Sequence, residues 1–366
     1  MAAQVVRVDA SRHELTAAAV PELRELFGLD RLPMAPTEFR IEIKGVPTAV
    51  VNAFRRTVTD EMPGLALTVP TGGFDTGLTT DLFLIPQYVN GRISNLCLRP
   101  QIPAGVVAGL RLSLDVSNGG VTPLAVYAGD LRVSGGEMPE PLFNPTARLA
   151  DLQPGKRLVI RGIHISTGQG RDNGIYNVAC RTAYSHLDLE QYSDAEMREE
   201  TGAAADLSGY KVSTLLADPR HHLLTATLPA TAANPAEARA VFADACGNIK
   251  ERLRLIAASV ERRGETSAGG AGRGVQYTVV SLEAAGLSEG ILQVPGETHT
   301  IGELLRRTIY ELTPDIANVA YTIVSHENRL CLTVRHSEDV TRVLMRAISH
   351  AIATFDAIQH GISAAP

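Results

Sequence analysis

A ten-residue pattern that occurs twice sets the strongest constraint on how this chain folds. Residues 54–63 read FRRTVTDEMP, and residues 305–314 read LRRTIYELTP. Both copies contain Arg-Arg-Thr, a β-branched apolar residue, an acid two positions later, and a proline seven positions after the second arginine. An internal repeat indicates related structural units, and two such units commonly pack about a pseudo-twofold axis. The repeat therefore predicts two related half-structures.

Each copy lies in a predicted amphipathic helix that follows a predicted strand. Residues 39–43 alternate apolar and polar side chains, which is typical of a strand with one buried face. Apolar residues at helical spacing predict a helix over about 48–62, and Pro63 ends it because proline cannot continue a helix. In the second copy, a short strand at 291–294 precedes a helix predicted over 299–312.

Each half also contains a long predicted helix, at 235–262 and at 337–360. Apolar residues form a seam along the whole length of both: Val241, Ala245, Ile249, Leu253, Ile256 and Val260 in the first, and Val340, Leu344, Ala347, Ala351, Phe355 and Ile358 in the second. A seam this regular needs a partner helix. Packing in a core and packing between the halves are both compatible with it, because a core shared by the halves is still a core.

Composition narrows the class of protein. The 366 residues carry a net charge of −6, which argues against a protein whose main task is to hold a phosphate backbone. The four cysteines are dispersed without a Cys-x-x-Cys pair, so neither a zinc knuckle nor a disulfide framework is expected. We expect reduced thiols in a cytosolic or nuclear protein, since no apolar run approaches the ~20 residues of a spanning helix and no signal peptide is evident.

The predicted architecture is α+β, with two strand–helix halves that form an intramolecular pseudo-dimer. A β-rich domain is expected as an insertion in the first half, because residues 101–175 read as short strands joined by turn sequences. Residues 263–274 are rich in glycine and predict a flexible linker. The predicted segments are an N-terminal extension at 1–37 with a helix at 11–28, the first half at 38–100 and 176–262, and the second half at 275–366.

Three short segments resemble catalytic or binding motifs. Gly168–Arg171 follows a strand and is compatible with a phosphate loop, but it lacks the third glycine and the Lys-Ser/Thr of known phosphate loops. His221 and His222 are adjacent on a predicted strand, so their side chains should point to opposite faces rather than to one ion. Residues 185–188 read SHLD and hold the residue types of a hydrolase triad, but no Gly-x-Ser-x-Gly elbow occurs. A connecting or structural role is the simpler interpretation of each segment.

The residues around the two repeats resemble a known family. Residues 52–66, which read NAFRRTVTDEMPGLA, resemble the assembly helix of the α-like subunits of cellular RNA polymerases. Residues 297–305 (ETHTIGELL), followed by Pro314, Asp315, Ile316 and Tyr321, resemble the smaller subunit that pairs with it. Both stretches lie here on one chain, which is similar to the fused polymerase subunit of asfarviruses and related large DNA viruses. The resemblance extends over about residues 38–360.

The resemblance implies a non-catalytic platform on which the two large polymerase subunits assemble, together with a small companion subunit. It implies no cofactor, no direct nucleic-acid contact, and a location in the host cytoplasm and the virion. Residues 87–93 depart from the His-Arg-Leu-Gly segment of the cellular subunits, and the metal-binding cysteine cluster of many relatives is missing, so we expect no metal site. The expected assembly interface comprises Asn52, Phe54, Arg55, Arg56, Val58, Met62, His299, Ile301, Leu304, Leu305, Arg306, Arg307, Leu344, Ala351 and Phe355. The alternative functions are a phosphate- or nucleotide-binding enzyme that uses Gly168–Arg171 and a free-standing pseudo-dimeric binding module without a polymerase partner.

Overall fold

The computed structural model describes residues 3–12, 37–100, 102, 104–135, 142–186, 220–228, 235–262, 274–282 and 286–364. Within these ranges, helices combine with sheets whose strand pairings are all antiparallel, so the fold is α+β. No helix in the described ranges is long and apolar enough to cross a lipid bilayer.

The first sheet–helix unit is a four-stranded sheet with the strand order β1-β2-β10-β9 and two helices. Phe39, Ile41 and Ile43 alternate along β2 and are buried, as the sequence pattern predicts. The elements of this unit are β1 (Gln4–Arg12), β2 (Thr37–Lys44), α1 (Thr48–Arg56), β9 (Cys180–His186), β10 (His221–Leu228) and α4 (Pro235–Glu261).

The second sheet–helix unit repeats this arrangement, with the strand order β11-β12-β14-β13. In both units two strands precede a short helix, and two further strands precede a long helix. The elements are β11 (Gln276–Leu282), β12 (Leu287–Pro295), α5 (His299–Leu312), β13 (Asn318–Val324), β14 (Arg329–His336) and α6 (Val340–Ala364). The predicted helix at 299–312 is confirmed to the residue, because Thr298 caps its first turn by accepting a hydrogen bond from the backbone N–H of Thr300.

The two sheet–helix units share one hydrophobic core. The long helices α4 and α6 pack against each other, and the short helices α1 and α5 do the same. Apolar residues from both sheets and all four helices belong to a single buried cluster. Helix α6 also packs against β1, the edge strand of the first unit. Gly361 of α6 lies so close to Val5 of β1 that a methyl group on Gly361 would not fit. The seams predicted on the two long helices therefore face each other.

A second core belongs to a β-rich unit. Its sheets have the strand orders β3-β8-β4-β6 and β5-β7. The elements are β3 (Pro63–Thr68), α2 (Pro86–Ser94), α3 (Ala104–Gly109), β4 (Arg111–Ser117), β5 (Leu124–Tyr127), β6 (Arg132–Ser134), β7 (Arg148–Leu152) and β8 (Arg157–Gln169). Leu67 of β3 and Ile93 of α2 are fully buried in this core.

The β-rich unit is larger than the sequence predicts. Residues 63–100 were expected in the first half, but β3 pairs with β8 over Pro63–Thr68, and α2 packs on the same sheet. The packing boundary therefore lies near residue 63 rather than at 101. The hydrogen bonds between β3 and β8 place β3 in the β-rich unit. The sequence does not predict this placement, because an apolar strand sequence alone does not specify its pairing partner.

Two local predictions also differ from the structure. Residues 4–12 form the edge strand β1, whereas the sequence pattern predicts an N-terminal extension with a helix from residue 11. Residues 13–28 of the predicted helix and residues 263–273 of the predicted linker lie outside the described residues. The helix predicted to continue to residue 62 widens into a π-helical turn over Thr57–Glu61, where the N–H of Met62 donates to the carbonyl of Thr57 at 3.2 Å. This wider turn carries Glu61 into the protein interior.

Candidate assembly interface

Aromatic rings form the apolar centre of the first unit's contact surface. Phe242 of α4 packs edge-on against Phe39 and Phe54, with ring centroids 5.7 Å and 6.2 Å apart. All three rings are fully buried. Phe54 lies on α1, which packs against α5 of the second unit, so this aromatic cluster supports the contact between the short helices.

The apolar residues of the predicted interface all lie in the shared core. They come from α1 and the π-helical turn, from α5 and from α6, and the core is continuous across both units. These residues are Phe54, Val58, Met62, Ile301, Leu304, Leu305, Leu344, Ala351 and Phe355. Helical periodicity locates such residues well, because a buried stripe must repeat every three to four positions.

The polar residues of the first copy lie beside this core. The Nε of Arg55 donates to Oδ1 of Asn52 at 3.1 Å, and its Nη1 lies 3.5 Å from the hydroxyl of Thr182 on β9. Both partners belong to the first unit, so Arg55 stabilises its own unit. Arg56 lies closer to the contact, because its Nε is 3.5 Å from Oε1 of Glu61.

The polar residues of the second copy mostly bind neighbours on α5 itself. Arg306 forms a bidentate pair with Glu303 one turn earlier, at 2.7 Å and 2.6 Å. Arg307 lies 3.4 Å from Glu311 one turn later. His299 is exposed at the start of the helix. Arg306 and Arg307 therefore each pair with an acid of their own helix.

A buried charged cluster instead connects the two units. Arg252 of α4 donates through Nη1 to Oε2 of Glu61 at 2.7 Å, and through Nε to Oε1 of Glu297 at 2.9 Å. The hydroxyl of Thr298 donates to Oε1 of Glu61 at 2.8 Å, and the hydroxyl of Thr300 donates to the same oxygen. Arg252 and Glu61 belong to the first unit, whereas Glu297 and both threonines precede or begin α5. The cluster therefore joins the first unit's π-helical turn and long helix to the start of α5.

The charges of this cluster support one another electrostatically. Burial alone would raise the pKa of Glu61, but the Arg252 cation and the hydrogen bonds from Thr300 and Thr298 hold the pKa of this carboxyl below its ordinary value of 4.5. Burial would lower the pKa of Arg252, and the hydrogen bonds and charges of Glu297 and Glu61 raise it instead. Glu61 and Arg252 therefore both carry their charges at neutral pH and form a buried ion pair.

Further polar contacts cross between the units. Lys250 of α4 is 7% exposed and donates through Nζ to Asp356 and Gln359 of α6. At the other end, Nη2 of Arg220 lies 3.4 Å from Oε1 of Glu311 on α5. Lys250 is buried at the contact because its charge has a partner on the facing helix.

Sequence reasoning missed this polar part of the contact. Glu61 was recognised only as a member of the repeat and of the resemblance, Glu297 only as part of the resemblance, and Arg252 and Lys250 were not singled out. The available signal was that Lys250 and Arg252 lie in the sequence between Ile249 and Leu253, two residues of the apolar seam of α4. A charge there is ordinarily solvated, and only the fold shows that carboxylates meet it.

The Gly168–Arg171 segment is explained by packing. Gly168 and Gln169 belong to β8, where they pair with Gly64 and Pro63. A methyl group on Gly168 would lie 2.5 Å from the ring of Tyr176, and one on Gly170 would lie 2.9 Å from Cα of Asp60. The glycines allow these close approaches, so the segment has the geometry of a strand end and not of a phosphate loop.

The adjacent histidines diverge, as predicted. Nε2 of His221 lies 2.6 Å from Oε1 of Glu42, whereas His222 is buried with its Nε2 3.0 Å from the carbonyl of Val46 and its Nδ1 3.0 Å from Nδ1 of His186. In the part of the chain that the structure describes, no group of three or more His, Cys, Asp or Glu side chains is arranged to hold a metal ion.

Comparison with known proteins identifies the family. The chain is 33% identical over 347 residues to the DNA-directed RNA polymerase RPB3-11 homolog of African swine fever virus strain Badajoz 1971 Vero-adapted, covering 93% of this chain and 91% of the relative. The homologues from the Pretoriuskop tick isolate and the Namibian warthog isolate are similar to the same degree. The chain belongs to this RPB3-11 family. No protein-family model matches it.

In this RPB3-11 family member, one segment of the β-rich unit exposes large apolar side chains. Leu82, Phe83 and Tyr88 are 92%, 84% and 71% exposed, and Ile85 between them is half exposed. Val89, the next residue, is buried and anchors α2 on the second core. Residues 82–88, called the apolar segment below, therefore present a hydrophobic surface from a fixed base.

Proposed function

We propose that the chain is a non-catalytic assembly subunit of a multisubunit viral DNA-directed RNA polymerase. On this proposal the two large catalytic subunits and a small companion subunit associate on its surface. The observation that carries the proposal is the single core shared by two sheet–helix units of matching strand order. Such a core provides one rigid body, and membership of the RPB3-11 family supplies the polymerase context.

We further propose that the two units are related halves of an intramolecular pseudo-dimer. The repeated ten-residue pattern supports this proposal, because both copies fall on the helix that follows the second strand of each unit. On this proposal the first half comprises β1 together with residues 37–62 and 176–262, the β-rich unit at about 63–175 is an insertion, and 263–274 links to the second half. Obligate interfaces of this kind bury about 2,000 Å² or more and are apolar.

Separating the halves tests the pseudo-dimer. Residues 1–262 and 275–366, expressed as two chains in one cell, should purify as a one-to-one complex, because each alone exposes half of an apolar core. Expression of either piece alone should give aggregated or unfolded protein. Two well-folded pieces that do not bind each other would contradict the proposal.

We propose the apolar segment as a docking surface for a large subunit. Its side chains are exposed by 71% and more at Leu82, Phe83 and Tyr88, yet they project from a buried anchor, so binding does not require this segment to order itself first. Large apolar and aromatic side chains of this kind supply the central contacts of protein interfaces. Exposure on this scale in the isolated chain is consistent with burial in a complex.

Co-expression with the two large subunits tests the docking surface. The variant Leu82→Asp/Phe83→Asp should fail to capture a large subunit, because burying a carboxylate without a partner is strongly unfavourable. Val121→Asp is the matched control, since Val121 is 93% exposed in another loop of the β-rich unit. Both variants should unfold at the wild-type temperature. Undiminished capture by the double variant would overturn the placement of the docking surface.

Substitution in the shared core tests the platform itself. Phe54→Asp or Leu305→Asp should abolish assembly, because each places an unpaired charge among fully buried residues. Capture of both large subunits at the wild-type level by either variant would contradict the proposal.

We propose the host cytoplasm and the virion as the locations of this chain. Fractionation of infected cells and mass spectrometry of purified virions would check both locations.

A further inference from the structure

Two cysteines from different cores line one cavity between the first sheet–helix unit and the β-rich unit. The cavity has a volume of about 430 Å³ and is bounded by Leu65, Cys97 and Leu98 on one side and by Ala179, Cys180 and Leu228 on the other. Leu98 belongs to the second core, and Ala179 and Leu228 belong to the shared core. The cavity therefore lies where the two cores meet.

Both thiols are accessible from this cavity. Cys97 and Cys180 are free and exposed, whereas Cys246 is buried and Cys331 is half-buried. Cys97 lies between Leu96 and Leu98, which are both buried in the second core. Cys97 itself is exposed and lines the cavity beside Leu98.

Local backbone geometry holds Cys180 in place. The pairing of β9 with β10 shifts register next to this residue, so Cys180 faces Thr227, and its Sγ lies 3.5 Å from the Thr227 carbonyl. Arg181 directly after it adopts a φ of 48°, a left-handed conformation that residues other than glycine rarely adopt. A strained residue of this kind persists only where the surroundings impose it.

The two thiols also influence each other. Burial raises the pKa of the Cys97 thiol, and the negative charge that Cys180 carries when ionised raises it further. Both residues line the same cavity, so the two thiols face one space. The Cys97 thiolate is scarcer at neutral pH than that of an ordinary cysteine.

We propose that Cys97 and Cys180 form a redox-sensitive pair whose oxidation cross-links the β-rich unit to the first sheet. The oxidant is a small-molecule disulfide of the glutathione class. The Cys180 thiolate attacks one sulfur of that disulfide and releases one thiol, which gives a mixed disulfide on Cys180. The Cys97 thiolate then attacks Sγ of Cys180, forms the Cys97–Cys180 bond and releases the second thiol. Two protein thiols are oxidised, and one small disulfide is reduced to two thiols.

The cross-link would fix how the apolar segment is presented. The segment lies on the β-rich unit a short distance before Cys97, whereas Cys180 begins β9 of the first unit. A covalent bond between them closes residues 97–180, which contain β4 to β8 of the β-rich unit, into a loop. Oxidation then restricts movement of that unit relative to the shared core, and it raises the unfolding temperature by constraining the unfolded chain.

Peptide mapping of the full chain tests the pair. The native protein is incubated with oxidised glutathione, remaining thiols are alkylated, and non-reduced peptides are analysed by mass spectrometry. We expect a linked peptide pair containing Cys97 and Cys180, with an intact mass lower by two hydrogen atoms. The rate should rise with pH, because the raised pKa of Cys97 makes its thiolate scarce at neutral pH.

Matched variants complete the experiment. Cys97→Ser should stop at a glutathione adduct on Cys180, and Cys180→Ser should give no cross-link, whereas Cys331→Ser should behave like the wild type. Separate glutathione adducts at Cys97 and Cys180 in the wild type, without a linked pair, would overturn the proposal. So would the absence of reaction at both residues, or cross-links to Cys331 in equal yield.

Discussion

Replacing Arg252 by methionine tests how strongly the buried charged cluster stabilises the contact between the units. Methionine keeps a long, unbranched side chain but carries no charge and donates no hydrogen bond. The carboxylates of Glu61 and Glu297, whose side chains are 2% and 11% exposed, would then lie near each other without their shared cation. The hydroxyls of Thr298 and Thr300 would still donate to Glu61, and Arg56 would remain with its Nε 3.5 Å from Oε1 of Glu61.

The expected loss is large for a single substitution. Removal of one partner from a buried ion pair costs about 3–5 kcal/mol, because the remaining charge is buried without compensation. Arg252 serves two carboxylates and is itself only 16% exposed, so water cannot replace it readily. For 366 residues that unfold together, the loss corresponds to a fall in Tm of about 4–6 °C.

Thermal unfolding monitored by circular dichroism measures the effect at pH 7 and at pH 5. Arg254→Met is the matched control, since Arg254 is exposed on the same helix and its loss should change stability by less than about 0.5 kcal/mol. The deficit of Arg252→Met should shrink at pH 5, because Glu61 without the cation takes up a proton more readily. This recovery separates an electrostatic effect from a general loss of packing.

A triple variant sharpens the test. Glu61→Gln/Arg252→Met/Glu297→Gln should regain most of the lost stability, because neutral replacements of similar shape are often tolerated at buried ion pairs. Suppose instead that Arg252→Met unfolds within about 1 °C of both the wild type and the Arg254→Met control. The cluster would then contribute no more than an exposed ion pair, and the electrostatic reasoning would be refuted.

Three other outcomes are expected. Folding lowers the pKa of Glu61, so the stabilisation from its charge is present above the ordinary pKa of 4.5 and is lost as the pH falls below that value. Glu61→Gln should therefore make Tm depend less on pH in the acid range. Gly247→Ala on α4 should raise the free energy of unfolding by up to about 1 kcal/mol, because a methyl group at Gly247 meets no other atom within 4 Å. Gly361→Ala should lower the free energy of unfolding by about 1–3 kcal/mol, because a methyl group at Gly361 would lie 2.7 Å from Val5. The urea midpoints of the two variants should shift in opposite directions. Phe242→Ala should cost about 3–5 kcal/mol by opening a cavity between two rings, and a loss under 1 kcal/mol in urea unfolding would contradict the described packing.

The helical framework is predictable from sequence because its signals are local. The start of α5 at His299 follows from the capping Thr298, and its stripe through Ile301 and Leu305 follows from the helical period. Likewise, alternation along β2 identifies the strand and its buried face. In each case neighbouring residues carry all the information that the prediction needs.

The strand β3 and the charged cluster are not predictable in this way, because distant partners decide them. Glu61 and Arg252 are 191 residues apart in sequence, and nothing near Glu61 distinguishes it from a solvated carboxylate. The π-helical turn that buries Glu61 adds one residue to the turn, which no periodic pattern encodes. Strand β3 has the composition of any half-buried strand, so only its pairing with β8 assigns it to the β-rich unit.

The polar cluster and the apolar core have different roles in the contact between the units. Apolar packing is non-directional, so two helices with regular seams can slide by one turn, about 5.4 Å, and still bury similar area. Such a shift would carry Arg252 out of hydrogen-bond reach of Glu61 and Glu297, and it would also separate Lys250 from Asp356. Each displaced charge would then be buried without a partner, which costs several kcal/mol. The shared core therefore supplies most of the stability, whereas the buried charges fix the register in which the two units meet.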